Sequence, residues 1–148
     1  YCVLQVVQMA INISNLTLTN KNIVIVEDDL SSIRYYETLL DSTGANVLVF
    51  HTGKDFIDFI KEGKGNIDFV FMDFLIPLIN GIDCIRIFRK ENKYIPVVMV
   101  TAYSSEQAKT DSYIAGCNEY VLKPVYPEKV FFLLEKYLNS EVPLTITR

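Results

Sequence analysis

The sequence predicts an α/β domain, a parallel sheet of five strands covered by helices on both faces. Three observations predict it. Short β-branched or aromatic runs recur along the chain and alternate with stretches of helical spacing. Strand–helix–strand connections of this kind favour parallel neighbours and a doubly wound sheet. The residues just after the runs are polar: Glu27-Asp28, Asp73, Thr101 and Lys123. In such sheets ligands gather beyond the carboxyl ends of the strands.

At 148 residues the chain is one domain with tails, and half of it is hydrophobic, enough to build a full core. The net charge is -4 and no basic cluster is dense enough for a nucleic-acid surface. Cys2, Cys84 and Cys117 form no CxxC and leave an odd count. That argues for a reducing, cytoplasmic setting, with Cys84 and Cys117 as buried small residues. The apolar opening, Tyr1 to Ile11, is too short to span a bilayer and has no basic start. The chain begins with Tyr, so it reads as a fragment of a longer one.

Residues 1–20, with their Asn and Thr, read as a lead-in or linker with a short helix near the start. Asn22 to Val26 is the first strand. A helix follows from about Leu30 to Ser42, with Ile33, Tyr36 and Leu40 in register and Gly44 as the stop. Asp29 suits a helix start. Asn46 to Phe50 is the second strand, and the lone histidine, His51, follows it on the surface. Thr52-Gly53 opens a second helix that Gly63 and Gly65 end. Phe69 to Met72 is a strand buried on both faces, and Pro77 then breaks regular structure. A third helix runs from Ile82 to about Glu91. Pro96 to Val100 is the fourth strand. Ser104 or Ser105 caps a fourth helix that runs to Ala115 and closes at Gly116. Glu119 to Leu122 is a short fifth strand. Pro127 opens a fifth helix with Val130, Leu133, Leu134 and Tyr137 on one face. Tyr35, Tyr36, Phe131 and Phe132 read as core or packing residues.

The strand ends bring three carboxylates, Glu27, Asp28 and Asp73, to one rim with the Thr101 hydroxyl and the Lys123 amine. Like charges so placed raise one another's pKa unless a cation offsets them. A hard divalent ion with oxygen ligands is the natural offset, and Mg²⁺ takes one or two carboxylates plus a phosphate. Asp73, central in the set, is the candidate nucleophile for a phosphoryl group. Lys123 suits a phosphate oxygen as a compact charge, and the Thr101 hydroxyl can donate to another.

This ordered set resembles the response-regulator receiver domains of two-component signalling: Glu27-Asp28, Asp73 with Pro77 and Gly81, Thr101-Ala102, Lys123-Pro124, and Tyr120 three before the lysine. The resemblance covers residues 21–140 and leaves 141–148 as a tail. It implies the flavodoxin-like (βα)5 fold with strand order 2-1-3-4-5. By it, Asp73 is the phosphoacceptor, and Glu27, Asp28, Asp73 and the Leu75 backbone carbonyl hold Mg²⁺. Thr101 and Tyr120 form the switch, and Lys123-Pro124 is cis. Such a domain promotes its own phosphorylation and dephosphorylation. Leu75 and Tyr103 stand at the two variable positions beside the phosphoryl group, and neither holds an attacking water well, which implies slow loss of phosphate.

The implied partner is a phosphohistidine on a histidine kinase or histidine phosphotransfer domain, docking on the first helix near Leu30, Ile33 and Arg34. A homodimer through the fourth helix, fifth strand and fifth helix is a further expectation. The phrase Tyr36 to Leu40 followed by Thr43-Gly44-Ala45 is similar to receivers at the C-termini of hybrid sensor histidine kinases. Two other readings compete. One is a degenerate receiver that only binds partners. The other is a phosphatase of the haloacid dehalogenase type, which needs an Asp where Leu75 stands.

Overall fold

The computed structural model describes residues 16–138. Its elements are β1 (Asn22–Val26), α1 (Leu30–Asp41), β2 (Asn46–Phe50), α2 (Gly53–Glu62), β3 (Phe69–Met72), α3 (Gly81–Arg89), β4 (Val97–Thr101), α4 (Glu106–Ala115), β5 (Glu119–Leu122) and α5 (Pro127–Leu138). The five strands are parallel and ordered β2-β1-β3-β4-β5. Cys2, the expected short helix near the start and the tail 141–148 lie outside the described residues.

Side-chain alternation along the three central strands builds two cores, one on each face. Val24, Val26, Val70, Met72, Val97 and Met99 face α2, α3 and α4, where Phe56, Ile85 and Phe88 meet them. Ile23, Ile25, Phe69, Phe71, Val98 and Val100 face α1 and α5, against Tyr36, Leu40, Val130 and Leu134. A continuous apolar strand is therefore read on both sides, as the sequence of β3 requires. Emptying such a position, as in Phe71→Ala, costs about 3–5 kcal/mol.

Four helix starts carry a capping side chain. Asp29 accepts from the Ser32 N–H, Thr52 from Asp55, Asn80 from Asp83 and Ser105 from Ala108. Pro127 is the first residue of α5, where its missing N–H is not needed. Cys84 and Cys117 are buried free thiols. Burial pushes Cys84 up to about 12 and Cys117 up to about 11, so neither is a thiolate at neutral pH. His51 is exposed.

Several expectations are corrected. β4 runs from Val97 to Thr101 rather than from Pro96 to Val100. Pro96 has no N–H to give, while Thr101 still pairs with Leu122. α3 starts at Gly81 and stops at Arg89, short of Glu91. Ile33 is buried and offers nothing to a docking partner. Phe132 is 56% exposed; Phe131 beside it takes the core side of α5, and the Lys129 ammonium lies 5.5 Å from the centre of the Phe132 ring. Leu16 and Leu18, in the stretch read as a lead-in, are buried in the α1/α5 core, and the Leu18 N–H donates to the Thr43 carbonyl at 2.7 Å.

Candidate functional site

The site forms where β1, β3, β4 and β5 end, because ladder bonding continues past the strands. The Asp73 N–H donates to the Val26 carbonyl at 3.0 Å, and the Lys123 N–H donates to that of Thr101 at 2.9 Å. These bonds fix the ends of four strands in two pairs, β1 with β3 and β4 with β5. Gly81 closes the loop behind Asp73. Its N–H donates to the Phe74 carbonyl at 3.0 Å, and a Cβ there would lie 2.3 Å from the Asp73 carbonyl oxygen. Only glycine lets α3 begin so close to the site.

Glu27 is the buried anchor. Its Oε1 accepts from the Asp28 and Asp29 N–H groups, each at 3.0 Å, and its Oε2 accepts from Lys123 Nζ at 2.7 Å. The same ammonium donates to Asp73 Oδ2 at 3.1 Å, and Asp73 Oδ1 accepts from the Leu75 N–H at 3.3 Å. Asp28 is exposed, and among the described residues its side chain accepts no hydrogen bond. One oxygen from each of Glu27, Asp28 and Asp73 lies within 4.8 Å of the others.

One ammonium thus serves two carboxylates, and the pKa directions follow. Burial first, then the nearby Asp73 charge, raises Glu27 above 4.5 against the pull of its hydrogen bonds. Burial pulls Lys123 down, but its hydrogen bonds to Glu27 and Asp73 outweigh that and hold it above 10.5. The lysine is more than compensated and Glu27 is under-compensated. The site calls for further positive charge.

Glu27, Asp28, Asp73 and Lys123 come together here, and Thr101 ends the strand beside Lys123. Thr101 is buried at the end of β4, its oxygen accepting from the Tyr103 N–H at 3.1 Å. The Leu75 side chain points to solvent, 64% exposed, and there is no acid at that position. Tyr120 on β5 reaches the same neighbourhood, its hydroxyl donating to the Tyr103 carbonyl. The Lys123-Pro124 bond is cis. Asp29 stays outside as the α1 cap. Two contributors were not read from sequence. The Tyr35 hydroxyl, donating to the Val125 carbonyl at 2.7 Å, ties α1 to the loop after Lys123. The Phe74 ring lies 5.3 Å from that of Tyr103. Both rings look like ordinary core aromatics in a sequence, since nothing in composition marks a partner that is distant in the chain.

Residues 23–135 match the model of the response regulator receiver domain. This chain belongs to that family. As a receiver domain it takes part in two-component signalling, in which receivers pair with histidine kinases. It is 31% identical over 119 residues to the transcriptional regulatory protein YkoG of Bacillus subtilis, covering 80% of this chain and 51% of that protein. It is 27% identical over 139 residues to hybrid signal transduction histidine kinase I of Dictyostelium discoideum, covering 89% of this chain and 8% of the kinase. The receiver thus spans about half or less of the curated relatives it matches. Among solved structures it is similar to the BeF3-activated N-terminal receiver domain of Klebsiella pneumoniae RstA, with 26% identity, a TM-score of 0.71 and coverage of 79% of this chain and 97% of that one. The CheY-like receiver of Methanospirillum hungatei shares the fold at a TM-score of 0.74 and 24% identity, over 80% of this chain and 94% of that one. The acidic cluster of this receiver suits a metal site, and among the described residues no helix is long and apolar enough to cross a membrane.

Proposed function

We propose that Asp73 accepts a phosphoryl group from a phosphohistidine of a histidine kinase or histidine phosphotransfer domain, and that the acyl phosphate switches a partner-binding face. The observation that carries this reading is Lys123 Nζ, which bridges Glu27 and Asp73 at 2.7 and 3.1 Å. In the transfer an Asp73 carboxylate oxygen bonds to phosphorus, the P–N bond to the donor breaks, and the imidazole nitrogen keeps the electron pair. Lys123, on the rim, neutralises a phosphoryl oxygen, and the Thr101 hydroxyl donates to another. Hard oxygen donors with surplus negative charge fit Mg²⁺. Asp28 and Asp73 would hold the ion, with the Leu75 carbonyl beside them. Glu27, its oxygens already accepting, would act through water and charge. When bound, the ion stabilises charge on the phosphoryl oxygens.

An apolar groove of about 670 Å³ supports the donor's docking place. It lies between α1 and the loop after β5, lined by Ser31, Tyr35, Lys123, Pro124 and Tyr126. Exposed Leu30 and Arg34 stand on the same helix. On the output side, the α4–β5–α5 face is the proposed switch and homodimer surface. Residues 21–140 are the signalling unit in this reading, with Leu16 and Leu18 packed against it. The buried free thiols Cys84 and Cys117 favour a cytoplasmic setting. The match to a hybrid kinase across 89% of this chain favours a hybrid-kinase parent.

The test is incubation with acetyl phosphate and Mg²⁺, followed by intact-mass measurement. One phosphoryl group, labile at alkaline pH, is expected on the wild type and absent from Asp73→Asn. Uptake by Asp73→Asn at the wild-type rate would overturn the assignment of the acceptor, and no uptake by the wild type would leave a binding-only receiver.

A further inference from the structure

Resting on that reading, Tyr103 has three tethers. Its N–H donates to the Thr101 hydroxyl oxygen at 3.1 Å, and its carbonyl accepts from the Tyr120 hydroxyl. Its ring packs against Phe74, with centroids 5.3 Å apart and planes at 31°. The first two tethers use the switch residues themselves. If Thr101 turns its hydroxyl to a phosphoryl oxygen, its hold on the Tyr103 backbone is disturbed. If Tyr120 turns inward, the second is lost. The third survives both events, because Phe74 is anchored elsewhere. Its carbonyl accepts from Gly81, and its ring packs on the α2/α3/α4 core.

We infer that Phe74 is a positioning residue for the phosphoryl site: its ring keeps Tyr103 against the loop that follows Asp73 after the switch residues let go, and so limits water access to the acyl phosphate. Phe74 directly follows the phosphoacceptor and Tyr103 follows Thr101 by two, so the ring pair bridges the two loops that flank the reacting atoms. Hydrolysis forms a bond from a water oxygen to phosphorus as the P–O bond to Asp73 breaks. Inorganic phosphate leaves, the carboxylate returns, and the proton goes to solvent. The attacking water must come in line with the breaking bond. A large ring held by stacking obstructs that approach; the same ring set loose does not.

The experiment is the decay of phosphorylated protein in Mg²⁺ buffer after removal of acetyl phosphate, for wild type, Phe74→Leu, Phe74→Trp, Tyr103→Ala and the Phe74→Leu/Tyr103→Ala double variant. Leucine keeps bulk without a ring face; tryptophan restores one. Phe74→Leu is expected to decay roughly 3- to 10-fold faster, the range of an aromatic pair, with Phe74→Trp near wild type. In the Tyr103→Ala background Phe74→Leu should change nothing, since the ring it positions is gone. If Phe74→Leu fails to fold, Phe74→Met takes its place. Unchanged decay in the non-aromatic variant, or equal acceleration with and without Tyr103, overturns the inference. A wild type that takes up no phosphate removes the phosphoacceptor reading and this inference with it. A wild type that does, with additive variants, removes the inference alone.

Discussion

Glu27 shows how a single residue can be both structural and electrostatically strained. It is buried, holds two backbone N–H groups and the Lys123 ammonium, and still titrates high, because burial and Asp73 work against its charge. A folded-state pKa raised above the unfolded value means the folded protein binds the proton more tightly. The associated stability is fully present below the unfolded pKa and is lost as pH rises through the folded one. Glu27 therefore weighs against the metal-free fold at neutral pH. Glu27→Gln keeps the acceptor for Asp28 and Asp29 while removing the charge. Its thermal midpoint relative to wild type is expected to be higher at pH 7 than at pH 4; scanning calorimetry without Mg²⁺ at both values checks it, and an offset that does not change with pH would sink the idea. Asp73, Thr101 and Lys123 were legible in the sequence because each ends an apolar run, where a polar side chain needs a reason. That Asp28, and not Glu27, keeps its oxygens free was not legible. Adjacent acids look alike until backbone donors choose between them.

At the scale of elements, the caps and glycines wrote most boundaries into the chain, and pairing decided the rest. Asp29, Thr52 and Gly116 could be read locally. Thr101 belongs to β4 because of Leu122, a partner 21 positions on that no local pattern reveals. The loop from β3 to α3 hides a cost. Leu78 sits at φ +72°, a left-handed conformation that bulky L-residues disfavour, and its side chain is 76% exposed and buries little in return. The loop holds it there. The Pro77 carbonyl accepts from the Gly53 N–H at 3.2 Å, and a Cβ at Gly53 would lie 2.2 Å from the Ile79 carbonyl oxygen. Glycine removes the left-handed penalty of about 1–2 kcal/mol, less what it adds to the freedom of the unfolded chain. Leu78→Gly is expected to stabilise the protein by about 0.5–1 kcal/mol in urea unfolding. Gly53→Ala, which meets backbone, is expected to destabilise it. Equal midpoints for wild type and Leu78→Gly would show that the loop carries no such cost.

For the whole molecule, the sheet places the phosphoryl site at one end and leaves an apolar face along α4, β5 and α5. Each of those elements exposes an apolar side chain: Ile114 at 74%, Leu122 at 46% and Phe132 at 56%. β5 is an edge strand, partly covered where the Tyr113 hydroxyl accepts from the Tyr120 N–H at 3.2 Å. Lys136 and Tyr137 on α5 both reach Glu119 at 2.8 Å, tying α5 to the start of the same strand. This face is therefore tied to β5, and β5 carries Tyr120. A local charge event at Asp73 that shifts Thr101 and Tyr120 would alter the face as a unit. Exposed apolar groups on such a face favour self-association once their geometry matches. Beryllofluoride with Mg²⁺ is expected to shift the protein from monomer toward dimer in sedimentation-velocity runs at fixed concentration. Phe132→Glu, far from the acidic cluster in sequence and already solvent-facing, is expected to bind beryllofluoride as before. It should weaken the activated dimer at least tenfold, about 1.4 kcal/mol in association free energy. A dimer that forms equally without activation, or that survives both Phe132→Glu and Leu122→Glu, would place the contact elsewhere on the molecule.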